Sequence, residues 1–384
     1  MNFLLPLLFF FFFFNSTASY NVVSYGAKPD GTTDSTSAFL NAWTGACGSA
    51  SSAMIYVPPG RYLLNHAVFS GACRSTGITI RIDGTLVAPS DYWALGSSGY
   101  WLTFQGVNGV SISGGTLDGQ GSSLWACKAA GKSCPVGARS LSFVNSRNIV
   151  IRGLSSINSK LFHIVIDGCQ NVYLQGVTIM ASGNSPNTDG IHVELSTGVT
   201  ILRSNIMTGD DCISIGPGTT NLWIENIVCG PGHGISIGSL GRSLNEPGVQ
   251  NVTVKTVTFN GTQNGLRIKS WGRPSNGFVK GVLFQNATME NVQNPIIIDQ
   301  NYCPHNVGCP DQASGVKISK VTYKHIQGTS ATQVAVKLDC SSKHPCTDIT
   351  LEDIKLSCKN QNVESSCANA GGIARGLVQP SSCL

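Results

Sequence analysis

One pattern recurs along most of the sequence and limits the folds open to it. A turn residue is followed by apolar residues at the first, third, sixth and eighth places after it. In the segment that starts at Asn171, these are Val172, Leu174, Val177 and Ile179. The pattern starts at Gly109, Asn148, Asn171, Gly198, Asn221, Asn251, Gly281, Gly315 and Asp348. Most starts are 23 to 34 residues apart, which indicates coils that bury an apolar interior only by stacking on one another.

A second short strand is predicted within most coils. It appears at Phe162–Ile166, Ile191–Val193, Ile213–Ile215, Ile235–Ile237, Leu266–Ile268 and Ile296–Ile298. In these segments residues are expected to alternate between inward and outward positions, as in a strand with one buried face. No helical crossover separates the strands, so we predict an all-β fold, a parallel β-helix, with the right-handed winding usual for parallel crossovers. A β-propeller fits less well, because its antiparallel blades need about 40–45 residues.

The repeat has exceptions. Gly115, Ser156 and Ser204 occupy places where the pattern expects an apolar residue.

The first coil needs a cover over its exposed apolar end. Before the repeat, Thr33 or Asp34 is placed to begin a short helix that runs to about Ala46. We expect this to be the only substantial helix and to cap the solenoid. Because no linker interrupts the chain, residues 19–384 are predicted to form a single domain.

The first 18 residues predict export. An apolar run from Phe3 to Phe14 is followed by small residues up to Ala18, as in a signal peptide. The run is shorter than the about 20 residues of a transmembrane helix. We therefore predict a secreted, extracellular protein of the cell wall that is not held in a membrane after cleavage. Sequons at Asn251, Asn260 and Asn286 are expected to carry glycans in such a protein.

The 14 cysteines agree with an oxidising compartment. Their short separations favour the pairs Cys127–Cys134, Cys212–Cys229 and Cys340–Cys346. The C-terminal end from Cys340 onwards is expected to be tied by disulfides. No Cys-x-x-Cys pair and no His/Cys/Asp spacing predicts a metal site. The net charge of +5 lacks a basic run, so a nucleic-acid partner is not predicted, whereas an acidic polysaccharide is.

Three of the short strands carry polar residues in one register. With Ile191, Ile213 and Ile235 aligned, the residues two places earlier are Asp189, Asp211 and His233. Parallel rungs about 4.8 Å apart would stack these side chains in one column. On the next rung, Arg267 and Lys269 place two cations on the outward face. Asp210 and Asp211 beside Asp189 repel one another and raise at least one pKa, which is useful to an acid/base site and rarely to a turn.

Four motifs give the sequence a resemblance to a known family. They are Asn187-Thr-Asp189, Gly209-Asp-Asp211, Gly232-His-Gly234 and Arg267-Ile-Lys269. Their order and spacing resemble those of the polygalacturonases, glycoside hydrolase family 28, from about Tyr20 to the C-terminus. Residues 230–239 and 294–303 are most similar to the plant members. The resemblance implies hydrolysis of the α-1,4-galacturonosyl linkages of pectin (homogalacturonan) with inversion, and it implies no cofactor.

The resemblance also implies roles for individual residues. Asp210 would be the general acid, while Asp189 and Asp211 would hold and deprotonate the attacking water. His233 would hold Asp210 in its protonated, correctly aimed state or contact the substrate. Substrate binding is implied for Asn187, Arg267, Lys269 and Tyr302. Independently of the resemblance, the strand pattern points His192 outward, one position in register beyond Asp189, so it is placed to touch a sugar.

Several alternatives remain open at this point. A pectate lyase on the same fold would use Ca²⁺ and a basic residue, a rhamnogalacturonan hydrolase would cut a different polymer, and a wall-binding protein would cut nothing. Adjacent rungs would place Asp189 and Asp211 closer than the roughly 6.5–9.5 Å that separates acid and base in inverting enzymes, so inversion rests on the resemblance. We expect a monomer. Endo cleavage is slightly favoured over exo cleavage, because no long insertion interrupts the motifs.

Overall fold

The computed structural model describes residues 17–96, 98–359 and 361–384. In them the chain winds into a parallel β-helix made of two sheets, one of 19 strands and one of 11 strands. This confirms the predicted β-helix. The predicted signal peptide, residues 1–18, lies outside the described residues apart from Thr17 and Ala18.

The larger sheet contains two short strands per coil in the first coils and one long, bent strand per coil later. Its strands are Ala18–Asn21, Asp30–Asp34, Ala53–Val57, Arg61–Leu63, Ile78–Ile82, Thr85–Val87, Val110–Ser113, Thr116–Asp118, Arg147–Arg152, Ser155–Ile157, Gln170–Gln175, Thr178–Met180, Thr197–Met207, Thr220–Cys229, Val249–Asn260, Phe278–Val292, Lys317–Ser330, Cys346–Cys358 and Ala370–Gln379. The smaller sheet contributes Ala67–Ser70, Tyr100–Gln105, Arg139–Val144, Ile164–Asp167, Ile191–Glu194, Ile213–Ile215, Ile235–Leu240, Asn264–Ser270, Asn294–Asp299, Val334–Asp339 and Glu364–Ala368.

The register of the smaller sheet is the one that the aligned triplets predict. Neighbouring strands pair in parallel, and the partners run from Ile191 to Ile213, Ile235, Leu266 and Ile296. All five side chains are fully buried. Because side chains alternate across a strand, the residue after each of them points away from the core. This outward row contributes His192, Ser214, Ser236 and Arg267 to the candidate site, whose carboxylates lie just before the strands.

The turn residues that start the repeat adopt the left-handed conformation. Asn148, Asn171, Asn221 and Asn251 have φ between 54° and 60°, a region that asparagine tolerates better than most residues. Their side-chain amides also bond from coil to coil, as in the 3.0 Å bond from Asn171 Nδ2 to Asn148 Oδ1. These places require a left-handed residue, and asparagine and glycine adopt that conformation most easily, so they mark most starts of the repeat.

One predicted start is wrong. The coil assigned to Gly315 begins five residues later, because Val321 pairs with Val282 and the left-handed residue before it is Lys320, with φ of 55°. Val316 and Ile318 reproduce the apolar pattern just ahead of the true start. A lysine at the turn hides the true start from a pattern search.

The three exceptions to the repeat are each compensated in the interior. Buried Ser156 has its hydroxyl 2.9 Å from Nδ1 of His163, which is also fully buried. The hydroxyl of Ser204 donates to the backbone carbonyl of Leu202 over 3.0 Å. A Cβ at Gly115 would lie 2.2 Å from a methyl carbon of Ile82, so the side chain of Ile82 fills the place that Gly115 leaves empty.

The predicted capping helix is confirmed. It spans Thr36–Gly48 and buries Phe39, Ala42, Trp43 and Ala46 against the first coils. The indole of Trp43 meets the rings of Phe69 and Phe104 edge-on, each at 5.6 Å between centroids. The carboxylate of Asp34 accepts a hydrogen bond from the first helical N–H, at Thr36.

A second helix was not predicted. It spans Ser122–Ala129 and is only eight residues long, too short to repeat an apolar stripe that the sequence would reveal. Two 3₁₀ turns lie at Val22–Tyr25 and Pro304–Asn306. Among the described residues, no helix has the length and apolar character needed to cross a membrane.

Disulfides close loops and both ends of the solenoid. The predicted pairs Cys127–Cys134, Cys212–Cys229 and Cys340–Cys346 are confirmed. The other three are Cys47–Cys73, Cys303–Cys309 and Cys367–Cys383. Cys47 ties the capping helix to the first coil, and two disulfides tie the C-terminal end as expected. Cys169 and Cys358 remain free thiols.

Candidate active site

A polar cleft crosses the outward face of the smaller sheet. It consists of two adjoining depressions of about 320 and 620 Å³, and Asn187, Asp210 and Tyr302 line both of them. The lining runs from Arg139 on one strand to Asp299 on another, six strands further along the sheet. At about 4.8 Å per strand this is a length of about 29 Å. The cleft therefore extends to both sides of Asp210.

Asp210 lies where the two depressions meet. Its Oδ1 accepts a 2.8 Å bond from the backbone N–H of Asp211 and lies 3.0 Å from Nδ1 of His233. Its Oδ2 has a single long contact, 3.4 Å to the amide nitrogen of Asn187. The side chain is 17% exposed. One carboxyl oxygen is thus held by the protein, while the other faces the cleft and can exchange a proton with a bound molecule.

Glycines allow the loops that carry these residues to pack tightly. Gly232 has φ of +134°, and a Cβ there would lie 2.5 Å from the carbonyl oxygen of Asp210. At Gly209 a Cβ would lie 2.1 Å from the carbonyl oxygen of Ser185. Real Cβ atoms do not approach so closely. The glycines of these two motifs therefore set the distance between the loops and so the position of Asp210.

Asp211 is the centre of a buried ionic cluster, although it is adjacent to Asp210 in sequence. Its Oδ1 accepts bonds from Arg267 at 2.7 Å and from the Ser236 hydroxyl at 2.8 Å, and its Oδ2 accepts one from Lys269 at 2.8 Å. The residue is 1% exposed. Burial alone would raise the pKa of Asp211, but the charges of Lys269 and Arg267 and the hydrogen bonds outweigh it and lower the pKa to about 2. Asp211 is held ionised.

Asp189, unlike Asp211, lies in surroundings that oppose its ionisation. It is 6% exposed, and burial, followed by the negative charges of Asp210 and Asp211, raises its pKa well above the ordinary value. Hydrogen bonding from Ser214 and the charge of Lys269 oppose this effect only in part. Three adjacent carboxyl groups thus have three environments, which is how a site separates the roles of chemically identical groups.

The structure shows that the two predicted cations are buried and already paired within the protein. Arg267 and Lys269 lie on the outward face, as predicted, but they are 8% and 6% exposed and each is paired with Asp211. Both still line the cleft, one in each depression. The ring of Tyr302 lies beneath the ammonium of Lys269, at 5.1 Å from its centroid. Substrate binding by these residues and by Asn187 stays a prediction.

His233 pairs with Asp210. Nδ1 of His233 meets the carboxylate of Asp210, and the backbone N–H of His233 bonds the carbonyl oxygen of Asp210 over 2.7 Å. The strands that follow Asp189, Asp211 and His233 stack in the predicted register. The imidazole itself pairs with Asp210, the residue beside Asp211.

Sequence reasoning missed several residues that line or support the cleft. Ser214 and Ser236 belong to the outward row, paired in register with His192 and Arg267 respectively. The middle position of each apolar-polar-apolar triplet was the signal that could have identified them. Further along the cleft lie Arg139, Glu194, Arg242 and Glu246. Arg242 and Glu246 sit on the loop after Ile235–Leu240, which the carboxylate of Glu246 braces by accepting the backbone N–H of Arg242 over 3.0 Å.

The carboxylates offer little to a metal ion. Asp210, Asp211 and His233 bring ligand-type atoms within 4.8 Å of one another. Both oxygens of Asp211 are, however, already bonded to cationic side chains and to a hydroxyl. A hard cation such as Ca²⁺ takes six to eight oxygen ligands, and the described residues around this cluster do not supply them.

Comparisons with known proteins agree with the geometry. Residues 47–383 match the family model described as glycosyl hydrolases family 28. A polygalacturonase of Prunus persica is 65% identical over 386 residues, covering 100% of this chain and 98% of that protein. An exopolygalacturonase of Platanus acerifolia is 43% identical and covers 95% and 98%.

A solved structure supports the fold. The endo-xylogalacturonan hydrolase of Aspergillus tubingensis superimposes with a TM-score of 0.81 at 24% identity, covering 94% of this chain and 99% of that one. At this identity the likeness bears on the fold alone. The β-helix described above is therefore an architecture known among carbohydrate-active proteins.

Proposed function

The chain belongs to family 28 of the glycosyl hydrolases, and from this premise we propose that it is a polygalacturonase. Its substrate would be the homogalacturonan of pectin, cut at α-1,4-galacturonosyl linkages. The observation that carries the proposal is the position of Asp210, with one oxygen held by the protein and the other open to a cleft that extends in both directions. That is the geometry of a proton donor to a linkage inside a polymer.

The roles of the carboxyl groups follow from their surroundings. Asp210 donates the proton to the leaving glycosidic oxygen, and His233 aims it. Asp189 accepts the proton of the attacking water, because its raised pKa makes it the better base. Asp211 is a weak base, since its oxygens are bonded to Arg267 and Lys269. It holds and orients the water, and its two cations extend toward the carboxylates of the substrate.

A lyase is disfavoured by the same geometry. It would need Ca²⁺ and an unpaired basic residue at the scissile bond. The cations nearest the carboxylates, Arg267 and Lys269, are buried in ion pairs with Asp211, so neither is free to remove a proton. An assay for unsaturated products, which absorb in the ultraviolet, is expected to be negative while reducing ends accumulate.

We expect inversion at the anomeric carbon. With the acid and the base on opposite sides of the linkage, water attacks from the face opposite the leaving group, and the α-linked polymer gives a β anomer at the new reducing end. Proton NMR during the first minutes of hydrolysis measures this directly. An initial excess of the α anomer would mean that the enzyme retains configuration and that the acid/base assignment is wrong.

We also expect endo cleavage. A polymer can lie along the about 29 Å cleft with residues on both sides of Asp210, which favours cuts within the chain. Chromatography of early products from polygalacturonate should give a ladder of oligomers. Monomer alone from the earliest times would mean exo cleavage, the mode named for the Platanus relative.

Secretion to the cell wall is part of the proposal. The disulfides between described cysteines suit an oxidising compartment, and a wall polymer is met outside the cell. We propose that residues 19–384 act as one monomeric domain after removal of the signal peptide.

A further inference from the structure

The register that places Asp189 continues to one end of the cleft. The strand that begins with Arg139 pairs with the strand Ile164–Asp167, which in turn pairs with Ile191–Glu194. Arg139 stands two places before the first residue of this pairing, as Asp189 does on its own strand. Three strand spacings, or about 14 Å at about 4.8 Å each, separate it from the strand that follows Asp210.

Two aromatic rings hold the guanidinium of Arg139 in place. Tyr100 is paired in register with Arg139 on the preceding strand, and its ring centre lies 4.8 Å from the guanidinium carbon. From the following strand, the ring of Phe162 approaches to 5.8 Å. A guanidinium that stacks on aromatic faces keeps its N–H groups free to donate in its own plane. Arg139 is thus oriented by its neighbours while its donors remain unused.

No carboxylate of the described residues forms an ion pair with this cation. Its buried Nε also has no hydrogen-bond partner among them. The charge of Arg139 reaches Asp167 and Glu194, but Glu194 faces Nε2 of His192 at 3.6 Å instead. Glu246, on the same depression, accepts backbone N–H groups of its own loop. A half-buried cation without a partner is costly, and a bound anion can supply the missing acceptor.

The opposite end of the cleft is acidic. Asp299 lines the larger depression, and its Oδ1 accepts the backbone N–H of Asn301 over 3.0 Å. Asp339 is paired with it in register on the next strand. Burial raises the pKa of Asp299, and the charges of Lys337 and Arg267 offset this only in part. The two ends of the cleft therefore present opposite charges to a polymer.

We propose that Arg139 is a specificity-determining residue: it binds the free carboxylate of a galacturonate ring at its end of the cleft, whereas the Asp299 end accepts a ring whose carboxyl group is esterified. The proposal rests on the proposed function, because it needs an acidic polysaccharide in this cleft. A carboxylate can bond two N–H groups of a guanidinium at once, while a methyl ester brings no charge. Partly esterified homogalacturonan is then cut only in registers that place a free carboxylate at Arg139.

Kinetics on polygalacturonate tests the contact with Arg139. Arg139→Gln should raise KM about 10- to 100-fold, the value of a hydrogen bond to a charged group. It should leave kcat within about twofold, because the contact is remote from the bond that breaks. Arg139→Lys keeps the charge without the planar fork, so its KM should lie between the two. An unchanged KM in Arg139→Gln, or a loss confined to kcat, would overturn the proposal.

Arg152 provides the matched control. Its guanidinium carbon lies 5.3 Å from the ring centre of Tyr173, but the residue is on the larger sheet, away from the cleft. Arg152→Gln should leave KM and kcat at the parent values. A rise in KM equal to that of Arg139→Gln would overturn the proposal, because loss of net positive charge would then explain both. If Arg139→Gln fails to fold, Arg139→Lys carries the test, since its KM must still rise.

Partly methyl-esterified oligomers of galacturonate test the difference between the two ends. Mass spectrometry of early products locates the esters on each side of the cut. The parent should leave esters near the cut on one side only, and Arg139→Gln should leave them on both sides. Asp299→Asn should keep the exclusion of esters at the Arg139 end. Esters equally frequent on both sides in the parent, or an unchanged asymmetry in Arg139→Gln, would overturn the proposal.

Binding without cleavage separates this proposal from the proposed function. In the Asp210→Asn background, isothermal titration calorimetry measures Kd for an unesterified galacturonate oligomer long enough to fill the cleft. Adding Arg139→Gln should weaken binding about 10- to 100-fold, and adding Arg152→Gln should not. If this holds for a protein whose parent form cuts no polygalacturonate, the carboxylate contact stands and the proposed hydrolysis fails. If the parent cuts the polymer and Kd does not depend on Arg139, the hydrolysis stands and the contact is overturned.

Discussion

Asp210→Asn is expected to lower kcat on polygalacturonate by at least ~10²-fold and up to ~10⁴-fold, the usual contribution of a positioned proton donor. An asparagine can keep the bond from the N–H of Asp211 through its Oδ1. Its amide nitrogen cannot accept from Asn187 as Oδ2 does, and it has no acidic proton to give. The fold should remain intact, because the side chain is partly exposed and makes no buried ion pair with a lysine or arginine. Initial rates at saturating substrate measure the loss, and circular dichroism checks the fold.

A matched pair of variants distinguishes the donor from the base. Galacturonate oligomers with a nitrophenyl leaving group need little protonation as they depart, so Asp210→Asn should recover most of its loss on them. Asp189→Asn should stay impaired on both substrates, because water still has to be deprotonated. If the two variants lose the same factor on both substrates, Asp210 is not the proton donor.

The sequence predicted the fold because the repeat is a local signal. Left-handed turn residues such as Asn171 and Asn221, followed by alternating apolar residues, describe one coil completely, and stacking then follows from the need to bury the apolar face. The start assigned to Gly315 shows the limit of this reasoning. Val316 and Ile318 satisfy the pattern as well as the true strand does, and only pairing with the preceding coil selects Lys320.

The site was predictable as a set of residues and not as a set of contacts. Stacking in register identified Asp189, Asp211 and His233, since it depends on strand periodicity alone. It could not reveal that Asp211 pairs with Arg267, two rungs away, while Asp210 pairs with His233. Such choices depend on loop conformation and on the length of each side chain, neither of which has a sequence period. For the same reason Ser236, an ordinary serine in the sequence, escaped notice.

The buried cluster of Asp211, Arg267 and Lys269 leads to the second large effect. Asp211→Asn leaves two cations without a counter-charge in a place that is almost closed to water, and we expect it to lower the free energy of unfolding by about 3–5 kcal/mol. Urea unfolding at pH 6 measures the change. Adding Lys269→Met should restore part of the loss, because it removes one of the two unpaired charges. If the double variant loses the sum of the two single effects, the cluster is not coupled.

An exposed pair in the same protein provides the control. Arg81 and Asp83 also form an ion pair, 3.0 Å long, but the arginine side chain is 58% exposed. Water solvates both groups when the pair is broken. Asp83→Asn should therefore leave the unfolding midpoint close to that of the parent. A loss as large as that of Asp211→Asn would mean that removal of a carboxylate, and not burial, determines the cost.

The pH dependence of the stability lost in Asp211→Asn tests whether the ionised carboxylate of Asp211 is the cause of the loss. The pKa of Asp211 is about 2 in the folded protein, below the about 3.9 of an unfolded aspartate. Ionised Asp211 therefore stabilises the fold fully above about pH 4, and this contribution is lost as the pH falls toward 2, because the unfolded chain takes up the proton first. The gap in unfolding free energy between parent and Asp211→Asn should be constant from pH 6 to 5 and should narrow from pH 4 to 2. Since Asp83→Asn has no buried cations to leave behind, its small gap should change little over the same range. A parent–variant gap that stays constant down to pH 2 would show that Asp211 is not held by its two cations as an ion.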